Sequence, residues 1–474
     1  MPVPVISIAQ MREWEEATWA GGQTEAEVIR RVGELVARRA LRLTRPGDSV
    51  LILAGKGHNG DDARAAQPHL TEREVAILNV TRPKAALTEF AERIKAAANG
   101  RPPRLIVDGL FGIGLTRPLD DDWKKLIEAA NESRIPILAV DAPSGLNVET
   151  GGAEGAAIRA AVTLTVGAPK TGLLRESAWQ HVGRLEVATE TGLIVCPHAS
   201  ELNWTLPEDF SGFPPPRPVA SHKGSFGHLA ILAGSRGFHG AAVMAARGAQ
   251  RARPGLITLY TDESAYGPVA SQLQAVMVSP WSASIDFSAF SALLVGPGLA
   301  APDIPDEIKK IARRLWKYSP MPVIVDASAL DWLPLDPAPG QAIRVITPHP
   351  GEAARLLKAT VQQVQSNRPG ALRDLSRTFS GSFVVLKGHQ TLIGRCEGAL
   401  FVNSSGNPGL AQGGSGDVLS GFVAGLLAQP DLQADPLKTI RYGVWQHGAT
   451  ADLLETSKPN WVMEDLIESL GMFP

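Results

Sequence analysis

The chain has 474 residues, with 46 Lys and Arg against 48 Asp and Glu, a formal net charge of −2. That balance gives no electrostatic footprint for nucleic acid or an anionic membrane, and no apolar stretch reaches the roughly 18 residues of a spanning helix. Two cysteines, Cys196 and Cys396, exclude a disulfide framework and a Cys-rich zinc site. The 47 glycines and 36 prolines sit in a chain that is 44% hydrophobic, so they point to tight, ligand-holding turns and not to disorder. Met1 to Gln10 shows neither a basic region nor a long apolar core, so no signal peptide is read and a cytoplasmic enzyme is expected.

Length alone suggests about three domains, or two large ones. Runs at Ser49–Ala54, Glu74–Val80, Leu105–Val107, Ile135–Val140 and Val162–Val166 predict strands. The first four lead through polar turns into helix-like stretches; in Asp121–Glu132, Trp123, Leu126, Ile127 and Ala130 share a face. This alternation predicts βαβ units and a parallel sheet. Gly212 to Pro218 can continue neither a helix nor a central strand and reads as a stiff linker. A second series follows, with strands expected at His228–Ala233, Leu256–Tyr260, Ala292–Val295, Val323–Val325, Val345–Ile346 and Phe383–Leu386. Helices are expected at Gly240–Ala252, Asp306–Lys317, Glu352–Ala359 and Asp417–Ala428. Two α/β domains are therefore expected, 1–213 and 219–474, joined by a linker at 214–218.

Three strand ends in the first half carry polar turns. Ala54 to Ala63 (AGKGHNGDDA) is Gly-rich, but Asp61 and Asp62 would repel a pyrophosphate, against a standard dinucleotide loop. Val107 to Leu115 (VDGLFGIGL) and Val140 to Asn147 (VDAPSGLN) each place an Asp at a strand end. Together Asn59, Asp108, Asp141 and Ser144 offer hard oxygen ligands for a monovalent or divalent cation or for ribose hydroxyls. Each Asp alone could equally be a turn former; their coincidence at three strand ends favours a site.

These motifs resemble the NAD(P)H-hydrate epimerase domain, a Rossmann-like three-layer fold with the patterns GxGNNGGDG, VDALFGxG and DxPSGLDxxTG. The resemblance implies that Asn59, Asp108 and Ser144 hold K+. It also implies that His58, Asn59, Gly60, Asp61, Asp62, the loop Gly112, Ile113, Gly114, Leu115, Thr116, Arg117 and Pro118, and Asp141 contact the hydrated nucleotide. His58 stands where the family has Asn, Asp61 and Ala63 where it has Gly, and Asn147 where it usually has Asp. Losing a carboxylate at 147 removes one group able to exchange a proton, so this half is expected to bind the nucleotide but to epimerise slowly or not at all.

In the second half, Gly234 to Ala242 opens a helix of small residues, which suits either an anion at the helix start or close helix packing. His349, in Thr347 to Glu352 (TPHPGE), sits at a strand's carboxyl end, the ligand face. Lys387 beside Gly388 suits a nucleotide phosphate. Gly413, Gly414, Ser415 and Gly416 form a loop whose amides make an anion hole at the start of the next helix. Asp417 could cap that helix or take a proton from a substrate hydroxyl. Capping, worth about 1 kcal/mol, explains neither the loop nor the Asn407-Pro408-Gly409 turn before it, so catalysis is favoured.

The GGSGD loop, with HKGSFG, GPGL, TPHPGE and LKG, resembles the ADP-dependent NAD(P)H-hydrate dehydratase domain, which has the ribokinase-like α/β fold. The resemblance implies that Ala241, Gly298, His349 and Asp417 contact the hydrated nucleotide, with Asp417 as the base. It further implies that Lys387, Gly388, His389, Gln390, Thr391 and Gly416 contact ADP or ATP, with Mg2+ on the phosphates. The expected reading is a lyase and isomerase that repairs NAD(P)HX, forms a homo-oligomer and has neither a nucleic-acid nor a membrane partner. The alternative is a ribokinase-like small-alcohol kinase carrying a non-catalytic binding domain; TPHPGE and the first half argue against it.

Overall fold

The computed structural model describes residues 2–95, 102–115, 117–335 and 342–472. The chain forms two compact units, Val3–Ser200 and Glu201–Pro474, the latter joined by the first two residues. The division thus falls ahead of the proline run expected to mark it. Leu202–Trp204 pairs parallel with Leu400–Val402, and Phe210 packs into a core with Tyr442, Phe422 and Trp461. The segment before the prolines therefore belongs to the second unit.

The first unit opens with two helices that the strand pattern did not announce, Ile8–Ala20 and Glu25–Leu43, each started by a capping box, Ser7 with Gln10 and Thr24 with Glu27. Val28, Val32, Val36 and Ala40 recur at four-residue spacing and are buried. The sheet runs Glu74–Asn79, Ser49–Ala54, Leu105–Gly109, Ile137–Val140, Val162–Val166, Arg184–Ala188, parallel throughout. Counted within this sheet the order is 2-1-3-4-5-6, so the strand order reverses between Ser49–Ala54 and Leu105–Gly109 while the strands stay parallel. Doubly wound sheets open a ligand crevice at the carboxyl ends of such a pair.

In the second unit the order is Leu202–Trp204, Leu400–Val402, Leu392–Gly394, Phe383–Leu386, Arg344–Ile346, Val323–Val325, Ala292–Val295, His228–Leu232, Leu256–Thr261, Met277–Pro280. Seven consecutive strands from Met277–Pro280 to Phe383–Leu386 are parallel. Phe383–Leu386, Leu392–Gly394 and Leu400–Val402 then pair antiparallel, a departure from the expected all-parallel sheet. The short connections between them explain it: a parallel crossover needs about a dozen residues or more. The reversal of strand order here lies between His228–Leu232 and Ala292–Val295.

Helices His239–Ala252 and Ser415–Leu427 cover this sheet through small residues. A Cβ on Gly421 would lie 2.0 Å from the Ala245 carbonyl oxygen, and one on Gly248 2.4 Å from that of Val418. The small-residue helix after Gly234 thus serves close packing along its length, while its first turn stays open: nothing lies within 4 Å of a Cβ placed on Gly240.

Candidate active sites

In the second unit, strand reversal brings two turns together. Gly298 (φ +68°) lies where a Cβ would meet the Phe238 carbonyl oxygen at 2.4 Å and the Ala241 Cβ at 2.9 Å. Ala241 and Gly298 therefore share one wall. Ser235 Oγ ties the turns by donating to the Gly298 carbonyl at 2.6 Å and accepting from the Ala301 N–H at 3.1 Å.

Gly414 is the N-cap of helix Ser415–Leu427, in the left-handed region at φ +91°, and no side chain caps the helix. Asp417 is therefore free of the capping role that competed for it. Its carboxyl is pushed up to about 7 by burial and by the carboxylates of Asp326 and Glu352, against the opposing pull of Lys387. A base with a pKa near working pH holds its proton weakly enough to cycle it. Behind the loop, His447 is buried and bonded to the Ser415 backbone; burial lowers it to about 4, so it is neutral. Asp452 accepts from the Gly406 N–H at 3.0 Å and from Asn407 Nδ2 at 3.2 Å, and Asn407 Oδ1 accepts from the Gly409 N–H at 2.9 Å, which holds the Asn-Pro-Gly turn.

His349 caps the helix Pro350–Leu357: its Nδ1 accepts from the N–H groups of Gly351 and Glu352 at 3.0 and 3.3 Å, and Glu352 bonds back to the His349 N–H at 2.8 Å. With Nδ1 an acceptor, the neutral ring carries its proton on Nε2. His349 is exposed, so this N–H can meet a ligand. Lys387 to Thr391 is the turn of the antiparallel hairpin. Gly388 (φ +114°) and Gln390 (φ +51°) form its bend, and Thr391 Oγ1 closes on the Gly388 carbonyl at 3.1 Å. His389 is exposed beside it. The Gln390 Nε2 is buried without a hydrogen-bond partner. Lys387 turns inward: its Nζ is 2.8 Å from Asp326 Oδ1 and 3.9 Å from Glu352 Oε2.

The first unit's loops meet at its own strand reversal. Helix His58–Ala65 starts there, with Asn59 and Gly60 buried and His58 exposed, its Nε2 2.8 Å from Glu25 Oε1. A Cβ on Gly60 would lie 2.2 Å from the Gly55 carbonyl oxygen, so the loop needs glycine. Asp108 is fully buried, accepting from the Ser144 N–H at 2.8 Å, Ser144 Oγ at 2.6 Å and the Leu110 N–H at 3.2 Å. Burial raises it to about 6 against these bonds. Asn59 Nδ2 donates to the Phe111 carbonyl at 2.8 Å, which leaves Asn59 Oδ1 buried with no partner. Asn59, Asp108 and Ser144 are thus brought together, and the Phe111 carbonyl lies with them, a backbone oxygen that no motif marks. The loop continues over them: Gly112 would place a Cβ 3.2 Å from that of Asn59. Beyond it, Leu115 is buried and Ile113 half-buried, while Gly114, Arg117 and Pro118 are exposed; Thr116 lies outside the described residues.

Asp141, in the left-handed region at φ +60°, accepts from Thr165 Oγ1, the Val166 N–H and Lys170 Nζ at 3.1, 2.9 and 2.6 Å. Lys170 is fully buried and was not singled out from sequence. Its signal was its place in Gly167-Ala168-Pro169-Lys170, just after a strand end; a wholly buried lysine is rare without a paired acid. Asp62 is raised well above the usual range by burial and by Asp141, Asp61 and Glu15. Asp61 is paired with Arg64 at 2.7 Å, so the charge added to this loop is compensated. Asn147 holds a turn: its Oδ1 accepts from the Glu149 and Thr150 N–H groups at 3.0 and 3.1 Å, and its Nδ2 donates to Glu154 at 3.0 Å. An Asp could accept the same two turn bonds, so Asn147 also serves as a turn former.

Two clusters of loops at the strand ends, one beside the Gly-rich start of helix Ser415–Leu427, belong to a two-domain α/β protein with a doubly wound first unit and a ribokinase-like second one. A ribokinase-like superfamily protein from Enterococcus faecalis, 25% identical, matches 58% of this chain and 96% of its own with a TM-score of 0.50. The family model of the YjeF-related protein N-terminus matches residues 25–172, and that of NAD(P)H-hydrate dehydratase matches residues 229–470. The bifunctional NAD(P)H-hydrate repair enzyme Nnr of Coxiella burnetii is 32% identical over 464 residues, 94% of this chain and 93% of that protein. Its Escherichia coli counterpart is 33% identical over 460 residues, 93% and 87% of the two chains. The chain belongs to the family of bifunctional NAD(P)H-hydrate repair enzymes.

Proposed function

We propose that the second unit dehydrates (S)-NAD(P)HX to NAD(P)H at the expense of ADP or ATP, and that the first unit interconverts the R and S hydrates. The observation that carries the first part is Asp417: half-buried, free of capping, near neutrality, and one residue beyond the Gly413–Gly416 loop. Hydroxide is a poor leaving group and phosphate a good one. The C6 hydroxyl attacks the terminal phosphorus of the nucleotide while Asp417 takes its proton, and the bond from phosphorus to the departing nucleotide's oxygen breaks. The loop amides receive the charge on the transferring group. Phosphate then leaves C6 with the C–O electron pair as a ring proton is lost, which restores the double bond. Ala241, Gly298 and the His349 Nε2–H would line the hydrated ring. The 387–391 turn, with the partnerless Gln390 Nε2, would receive the adenine nucleotide. Mg2+ would arrive on the phosphate oxygens; among the described residues no set of three His, Cys, Asp or Glu side chains forms a metal site.

In the first unit the partnerless Asn59 Oδ1, the buried Asp108 carboxylate, Ser144 Oγ and the Phe111 carbonyl fit a weakly hydrated monovalent cation, and K+ would supply fixed positive charge there. Asp141 and Lys170 would hold and move a proton at the hydrate's C6 centre, with Asp62 beside them. The deciding experiment is incubation of NADHX with ADP or ATP, following the return of absorbance of the reduced nicotinamide. Recovery that needs nucleotide is expected; none with either nucleotide would refute the dehydratase reading.

A further inference from the structure

We propose that Lys387 and Asp326 are a positioning pair that controls the charge of Asp417, and that the Lys387 ammonium is not a ligand of the nucleotide phosphate. This rests on the reading of Asp417 as the base. Asp326 ends strand Val323–Val325 and is 1% exposed; Lys387 follows strand Phe383–Leu386, and its side chain is 18% exposed. The two meet at 2.8 Å. They lie directly under the helix start: a Cβ on Gly416 would be 3.3 Å from Lys387 Nζ and 4.0 Å from Asp326 Oδ2. Gly416 thus leaves room for the pair beside Asp417.

Lys387 is held in place from behind. Arg368 Nη2 donates to the carbonyls of Leu386 and Lys387 at 3.0 and 3.3 Å, fixing the strand end from which the side chain departs. The groups facing Asp417 are Asp326, Glu352 from helix Pro350–Leu357, and Lys387, with neutral His447 behind the loop and Met244 of the covering helix near Gly414. Three carboxyls share one ammonium. If Lys387 swung away to a phosphate, Asp326 would remain buried and uncompensated beside two other acids, a costly arrangement. The position instead suits a cation that stays put, so that Asp417 can lose its proton near neutral pH.

The test uses the full chain and the pH dependence of kcat for NADHX dehydration with saturating ADP. Lys387→Met removes the only opposing charge named above, so the acid limb should move up by about one pH unit or more. Turnover should be about fivefold or more lower at pH 7 and recover towards pH 9, with KM for ADP changed less than about threefold. Asp326→Asn removes a repelling charge and leaves the cation, so its limb should move down. Lys387→Arg should restore the wild-type limb. A merely structural role would not shift the limb in opposite directions. A KM for ADP raised tenfold or more in Lys387→Met with an unmoved limb would make Lys387 a phosphate ligand and overturn the proposal. So would shifts of the same sign in Lys387→Met and Asp326→Asn. If Lys387→Met does not fold, an Asp326→Asn limb that stays in place overturns it alone. Wild type that never restores NADH would instead count against the dehydratase reading.

Discussion

Asp417 carries opposite consequences for rate and stability. As the proposed acceptor of the hydroxyl proton it must be ionised, so dehydration should rise as pH passes about 7, to which its carboxyl is pushed. Asp417→Asn should lower turnover by on the order of 10²-fold or more while nucleotide still binds. The stability sign is the reverse of that of a salt-bridged acid. The native pKa lies above the unfolded one, so the native state binds more protons between about pH 4 and 7, and stability falls as pH rises through that window. Asp417→Asn removes the partly desolvated charge and should melt higher than wild type at pH 8 by about 2–4 °C and much closer to it at pH 4, measured by scanning calorimetry. Losing activity while gaining stability is the mark of a residue kept for chemistry. Its residue type and place at a helix start could be read from the chain. Its pKa could not, because the acids and the lysine that set it lie up to 91 residues away in the sequence.

At the scale of elements, both sites hang on strand ends and helix starts along the carboxyl edge of their sheets. Most of these strands could be located from their aliphatic runs, and Ala292–Val295, Val323–Val325 and Phe383–Leu386 match the pattern residue for residue. The hairpin Leu392–Gly394 to Leu400–Val402 was not legible, because three-residue strands show too little alternation to separate from loop. Nor was the use of glycine within helices, where the cause is another backbone. Gly421→Ala should destabilise the second unit by about 1–3 kcal/mol in urea unfolding, because its Cβ would lie 2.0 Å from the Ala245 carbonyl. Gly240→Ala, with open space around it, should not. Equal effects would mean that the helices do not interlock as described.

For the whole molecule, two units with separate cores predict separable activities. The full-length Asp417→Asn chain should still interconvert R and S hydrates without nucleotide while failing to restore the reduced cofactor, followed by chromatographic separation of the epimers. Asn59→Ala should show the reverse, with dehydration of the S hydrate kept and epimerisation lost, since it removes the partnerless oxygen proposed for K+. If Asn59→Ala epimerises at the wild-type rate, the cation reading fails. Two domains were legible because alternating strands and helices must stack into layers, and the Gly-rich turns were legible because few other residues tolerate them. The boundary was misplaced, since a proline run reports only local stiffness whereas membership of a unit is decided by which sheet pairs with Leu202–Trp204. Local chemistry written in short motifs therefore sufficed for the fold class and the family, and it picked out Asp417 and the Asn59, Asp108 and Ser144 set as candidates. Only the tertiary structure decided that Lys387 pairs with Asp326 and that Lys170 pairs with Asp141. Those are contacts between distant segments, and the electrostatics of a buried group depends on neighbours that no local pattern names.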